Sequence, residues 1–174
     1  SPNRAPLPCP FEKRHPSQLV RDDAFFMALA YNQAIDAWRS DEVPVGAIVE
    51  WGGEVIGAAF NQRDSTRDPT AHAEINAIRQ ACRAIGSHVL SGAVLYASGE
   101  CCPMCYSAAY WARIQKVYFA SRWSDYADLF DDARIQADLT GPASDRLLAP
   151  EPLLRQEALV VWQEFRALAQ GARY

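Results

Sequence analysis

Residues 18–39 carry apolar side chains at Ala24, Met27, Ala28, Tyr31, Ile35 and Trp38, returning every three or four positions. That is the period of a helix with one buried face, and it predicts a first amphipathic helix of about six turns. The pattern then changes: residues 43–51 and 54–60 are β-branched or apolar runs joined at Gly52-Gly53, the signal of an antiparallel hairpin. Residues 64–69 are polar and read as a loop. Pro69 or Thr70 then opens a helix that runs through Ile75, Ile78 and Cys82 and closes at Gly86. A buried strand at 93–98, a helix at 103–113 and a strand at 116–121 follow. One or two helices are expected within 125–138, a Gly/Pro/Ser loop at 140–145, and, after Pro150 and Pro152, a last helix at 154–169. Pro2, Pro6, Pro8, Pro10 and Pro16 deny the beginning of the chain helix or ladder strand, so residues 1–17 are expected to form an arm and 18–174 a single domain. The order α-β-β-α-β-α-β predicts an α/β sandwich around a mixed sheet.

Composition narrows this reading. The chain has 174 residues, 49% of them hydrophobic, enough for one domain with a substantial core. Its 21 acidic residues outnumber 17 basic ones, for a net charge of −4, which makes a nucleic-acid partner the less favoured reading. No apolar run approaches the roughly 20 residues that span a bilayer, and the first residues lack the order of a signal peptide, so a soluble, cytoplasmic protein is expected. The five cysteines at 9, 82, 101, 102 and 105 are odd in number, with three crowded together. That fits metal binding in a reducing compartment better than a disulfide framework.

The candidate chemistry lies in Pro69-Thr-Ala-His72-Ala-Glu74 and Cys101-Cys102-Pro103-Met-Cys105. One imidazole and a Cys-x-x-Cys pair supply three ligands suited to zinc, and three protein ligands leave a fourth tetrahedral position for water. Glu74 is then a carboxylate placed to carry protons without touching the metal. Proline is favoured at the first helical position, so Pro103 makes Cys102 the N-cap, where the helix dipole favours thiolate. His72 is expected in the first turn of its own helix. The plainer alternative is a stapling zinc or a redox pair. A closed staple normally has four protein ligands, however, and a redox pair has no use for His72 and Glu74.

His72-Ala-Glu74 with Cys102-Pro-Met-Cys105 resembles the zinc-dependent nucleobase deaminases of the cytidine deaminase-like superfamily, and the resemblance runs from about Asp22 to the C-terminus. It implies a three-layer α/β/α sandwich with a five-stranded mixed sheet flanked by helices, and one zinc per chain on His72, Cys102 and Cys105. It also implies a zinc hydroxide that attacks a ring carbon bearing an exocyclic amine. Glu74 would take the water's proton and deliver it to ring nitrogen and departing ammonia. Cys101 stands where the family has proline; it is expected to pack as a small apolar side chain, with a Cys101 and Cys105 pair as the alternative ligand set.

Within the superfamily, Glu42-Val-Pro-Val-Gly-Ala47 and Asp68-Pro-Thr-Ala-His-Ala-Glu74 are similar to bacterial tRNA adenosine deaminases. Tyr110-Trp-Ala-Arg113, Lys116-Val-Tyr-Phe-Ala120, Phe130-Asp-Asp132 and the terminal Tyr174 resemble the guanine deaminase branch. That branch implies Asp132 as a second catalytic carboxylate and Asn61, Ala73, Trp111 and Tyr174 as substrate contacts. It further implies a C-terminal segment that crosses to a partner subunit in a domain-swapped homodimer. Trp123 stands where that branch is often polar. His15 and His88 lie outside any ligand spacing. The expected reaction is hydrolytic deamination of a free purine or related base or nucleoside, guanine to xanthine first. Adenosine-to-inosine editing of tRNA and a non-catalytic zinc staple are the alternatives.

Overall fold

The computed structural model describes residues 20–168, 170, 171 and 174, so the arm expected at 1–17 lies outside the described residues. The chain divides into two compact units, one ending at Gln136 and the other running from Ala137 to Tyr174.

The first unit opens with helix α1 (Asp23–Arg39). It starts later than its apolar pattern suggests because Asp22 caps it, accepting from the Phe25 amide at 2.8 Å. Its buried face is Phe26, Ala30, Ala34, Ile35 and Ala37, whereas Ala24 is exposed. Strands β1 (Gly46–Trp51) and β2 (Glu54–Phe60) form the expected hairpin. Gly52 and Gly53 turn it with φ of 60° and 87°, left-handed values that a two-residue turn matching strand twist requires. Residues 43–45 stay outside β1, since Pro44 has no amide to give a ladder.

Residues expected as loop instead begin with one helical turn, α2 (Arg63–Thr66). The buried carboxylate of Glu42 holds it, accepting from the Ser65 amide at 2.7 Å and the Asp64 amide at 3.4 Å. Helix α3 (Ala73–Ile85) starts four residues after Pro69 rather than at it. The cause is Asp68, whose Oδ1 accepts from the Thr70 amide at 2.8 Å and its hydroxyl at 2.7 Å, folding 68–71 into a turn. Gly86 ends α3 at φ 72°. Strand β3 (Val94–Gly99), helix α4 (Pro103–Trp111) and strand β4 (Lys116–Ser121) complete the frame.

The sheet has the order β2-β1-β3-β4, with β1 antiparallel to both neighbours and β3 parallel to β4. Alternation along the strands sorts its two faces. Ile48 and Tyr96 pack with Phe26 and Ala30 of α1. Ala47, Val49, Leu95 and Ala97 pack with Ala73, Ala77 and Ala81 of α3 and with Cys105 and Ala109 of α4. The architecture is therefore the expected helix-sheet-helix sandwich. Gly57 shows how closely the layers approach: a Cβ there would stand 2.2 Å from the Ala77 carbonyl oxygen. Leu95 is fully buried between them, and cutting it to alanine costs about 2–5 kcal/mol.

Among the described residues the sheet has four strands, not the five that the resemblance implied. After β4 the chain bends at once into a 3-10 turn at Trp123–Asp125, locked by the Arg122 amide donating to Asp125 Oδ2 at 2.7 Å. Residues 149–153 form neither helix nor strand, and Pro150 and Pro152 lack the donors a ladder needs. Helix α5 (Asp132–Thr140) follows the bend.

In the second unit a 3-10 turn spans Ala143–Asp145, and the Leu147 amide donates to the Asp138 carboxylate at 3.1 Å. Helix α6 (Arg155–Ala167) has no buried residue. Val160, Val161 and Trp162 are exposed on it. Among the described residues no helix is long and apolar enough to cross a membrane.

Candidate active site

Two helix starts build the site. Pro103 begins α4, and Cys102 is its N-cap, with Sγ accepting from the Cys105 amide at 3.5 Å. The spacing of three puts both sulfurs on one side of the first turn. His72 is the N-cap of α3, and not within its first turn. Its approach is held by Asn76, whose Nδ2 donates to the Phe60 carbonyl at 3.1 Å and the Ala71 carbonyl at 3.3 Å. His72 Nδ1 consequently lies 3.6 Å from Cys102 Sγ and 3.5 Å from Cys105 Sγ. One ligand atom from each of the three residues falls within 4.8 Å of the others. Cys105 and Cys102 are buried and His72 is half-buried.

The electrostatics of this cluster are those of a cation site. The Cys105 thiol donating to it, more than any other contact, lowers the Cys102 thiol to about 4, with His72 adding to the effect. The same sharing raises Cys105, and the bond to Cys102 raises His72. A borderline-soft divalent ion would replace the protons that these groups share. Cys101 is buried too, and burial pushes its thiol up, but it is outside the three-residue group. Glu74 is 4% exposed, and burial raises its carboxyl. It too is outside the ligand group, a buried carboxyl that lines the same cavity as His72 and Cys102.

A cavity of about 610 Å³ opens over these groups. Asn61, Ala73, Glu74, His72, Cys102 and Asp132 all line it. Asn61 is 5% exposed at the end of β2, and its Oδ1 accepts from the Arg63 amide at 3.4 Å. Ala73 is buried as the first residue of α3. Asp132 opens α5, and burial, then the nearby Cys102 sulfur, raises its carboxyl. Trp111 is not among the lining residues: it is half-exposed on α4, edge-on to Tyr110 at 5.8 Å and beneath the Arg113 guanidinium. Tyr174 belongs to the second unit and is exposed.

Sequence reading passed over Arg63, Glu100 and Tyr126, which also line the cavity. The signal for Glu100 was adjacency to the cysteines; Tyr126 gave none. Trp123 is not among the lining residues, and its Nε1 donates to the carbonyl of Glu100, which is, at 3.2 Å.

Residues 20–121 match the cytidine and deoxycytidylate deaminase zinc-binding region. The chain belongs to that family. It is a zinc-dependent hydrolase, and His72, Cys102 and Cys105 are the group able to hold the ion. Guanine deaminase from Bacillus subtilis (strain 168) is 38% identical over 132 residues, covering 75% of this chain and 85% of that protein. The X-ray structure of guanine deaminase from Bacillus subtilis superposes with a TM-score of 0.83 at 34% identity, covering 88% of this chain and 99% of the other. A tRNA-specific adenosine deaminase from Aquifex aeolicus (strain VF5) is 43% identical, but over 97 residues, 56% of this chain and 64% of its own.

Proposed function

We propose that this deaminase acts on a free purine or related aminated heterocycle, guanine first, working as a cytoplasmic homodimer. Water adds at the amine-bearing carbon, the C–N bond breaks, and xanthine and ammonia leave. The observation that carries this reading is the charge of the cavity. Glu74, Glu100, Asp131 and Asp132 line it against the single guanidinium of Arg63. A wall of carboxylates suits the amino and imino edge of a small base and opposes the phosphates that flank a base in RNA. The longer reach of the guanine deaminase similarity supports the same side, 75% of the chain against 56%.

A zinc ion held by His72, Cys102 and Cys105 would supply an acidified water, its pKa brought from about 15.7 toward 7. The protein's own groups do the rest. Glu74, raised by burial, takes the water's proton and passes it to ring nitrogen and then to the departing amine. Asp132, across the same cavity, accepts from the amine and helps it leave as ammonia. The Asn61 amide both donates and accepts, which fits the mixed edge of a purine, and the backbone of Ala73 faces the base. Trp111 is assigned as an aromatic contact of the base, and Tyr174 as closing the pocket of a second copy: α6 exposes Val160, Val161 and Trp162, and a swapped dimer would cover them.

The second reading, editing of tRNA, is favoured by the 43% identity over 97 residues to the Aquifex aeolicus enzyme. Ammonia release by the zinc-loaded protein on guanine, guanosine, adenine, cytosine, cytidine and an adenosine-34 anticodon stem-loop separates the two. Turnover of guanine is the expected result; inosine formed only in the stem-loop would overturn it.

A further inference from the structure

The acceptor atoms of the cavity are plentiful and its free donors few. A purine such as guanine brings N–H groups on one edge and the acceptors O6 and N7 on another. Four carboxylates can receive the first edge, but they repel the second. Beside the Asn61 amide, the donors that line the cavity are therefore the scarce component, and two of them are already engaged. The Ser121 hydroxyl donates to the Ser98 carbonyl at 2.8 Å, and Arg63 Nε donates to Asp64 Oδ1 at 3.1 Å.

Tyr126 stands apart from these. Its backbone is fixed by the bend after β4: its amide donates to the Trp123 carbonyl at 3.2 Å, and its own carbonyl accepts from Leu129 at 2.9 Å and Phe130 at 3.3 Å. Its ring meets Phe130 edge-on at 5.9 Å. The other flank packs over Gly99 at the end of β3, where a Cβ would stand 3.2 Å from the phenol oxygen. The absent side chain thus leaves the phenol room beside the metal-binding turn. Its hydroxyl reaches the Glu100 carbonyl at 3.4 Å, a long bond that an incoming acceptor easily outcompetes. Burial, then Asp132, Glu100 and Glu74, push its ionisation well up, so the proton stays on the oxygen.

We infer that Tyr126 is a specificity residue of this enzyme, its phenol donating a hydrogen bond to the acceptor edge of the bound purine, at O6 or N7. The inference rests on the purine reading above and adds to it the group that reads the far edge of the base. A site built around such a donor discriminates against an analogue that cannot accept, because the phenol is then left facing an unsuitable group.

The test compares the full-length zinc enzyme with Tyr126→Phe on guanine, 2,6-diaminopurine, which carries an amine in place of O6, and 7-deazaguanine, which lacks N7. KM is read for each base turned over, and the inhibition constant against guanine for any that is not. The wild type is expected to favour guanine over one of the two analogues by about tenfold, and Tyr126→Phe to erase that preference by losing affinity for guanine and for the analogue that keeps the accepted atom, but not for the one that lacks it. Zinc content and melting temperature should not change. A preference that survives in Tyr126→Phe, or one missing from the wild type, overturns the proposal. Wild-type enzyme inert on guanine overturns the purine reading and this inference with it, an outcome visible before any variant is made.

Discussion

The turn that joins β3 to α4 and the helix α6 are opposite cases of how a chain treats its side chains. Around the first, groups that chemistry would use are enclosed and held: Glu74, Asn61 and Cys102 are 4%, 5% and 6% exposed, and Cys105 not at all. In α6 no residue is buried, and Trp162 is 56% exposed. Burying a carboxylate is costly, whereas leaving a tryptophan in water forgoes apolar burial of about 25 cal/mol per Å². The first unit thus accepts a cost to set up its chemistry, and the second declines a gain that a further surface would supply. Competence to bind metal is local to two helix starts; α6 keeps Val160, Val161 and Trp162 exposed.

The largest effect expected at the first region comes from Cys102→Ala. It should remove zinc from the protein and all turnover with it, read by metal analysis of the purified variant. Full metal retention would show that Cys101 replaces it as ligand. Glu74→Ala comes next. About one zinc per chain should remain while turnover drops by about 10²–10⁴-fold, measured as ammonia release, and an active variant would remove the proton-carrying role. The second region answers to Trp162→Asp. Sedimentation should show a dimeric wild type and a monomeric variant with unchanged zinc content, and a wild type that is already monomeric would refute the second copy as the cover for α6.

What sequence alone made legible follows the same division. Gly52-Gly53, Gly86 and Pro103 act on their own neighbours, so the hairpin, the end of α3 and the start of α4 stand where period and turn chemistry put them. The spacing of Cys102 and Cys105 is a local signal; that His72, 30 residues before Cys102, faces them was implied by the resemblance. The turn of α2 was not, because its anchor is Glu42, 22 residues away from Asp64. Tyr126 was hidden for the same reason: its place depends on Gly99 having no side chain, a contact that no periodicity records. The fifth strand, not seen among the described residues, was implied by the resemblance alone and had no run of its own in the sequence pattern.

The smallest effect belongs to the turn that carries the chain into His72. Asp68 is partly exposed, and its carboxyl lies below its ordinary value of 3.8, first through the Thr70 hydroxyl and then the Thr70 amide. A carboxylate depressed in the folded state adds stability above its unfolded pKa and loses it as pH falls through the folded one. Wild type should therefore exceed Asp68→Asn in urea midpoint near neutrality, and the gap should close below about pH 4. Measuring metal-stripped protein keeps zinc loss at low pH out of the comparison. A gap that stays constant with pH would mean that the Asn side chain fails by geometry and not by charge. The turn would then position His72 through the shape of its hydrogen bonds alone, and its contribution would survive acid that strips the metal.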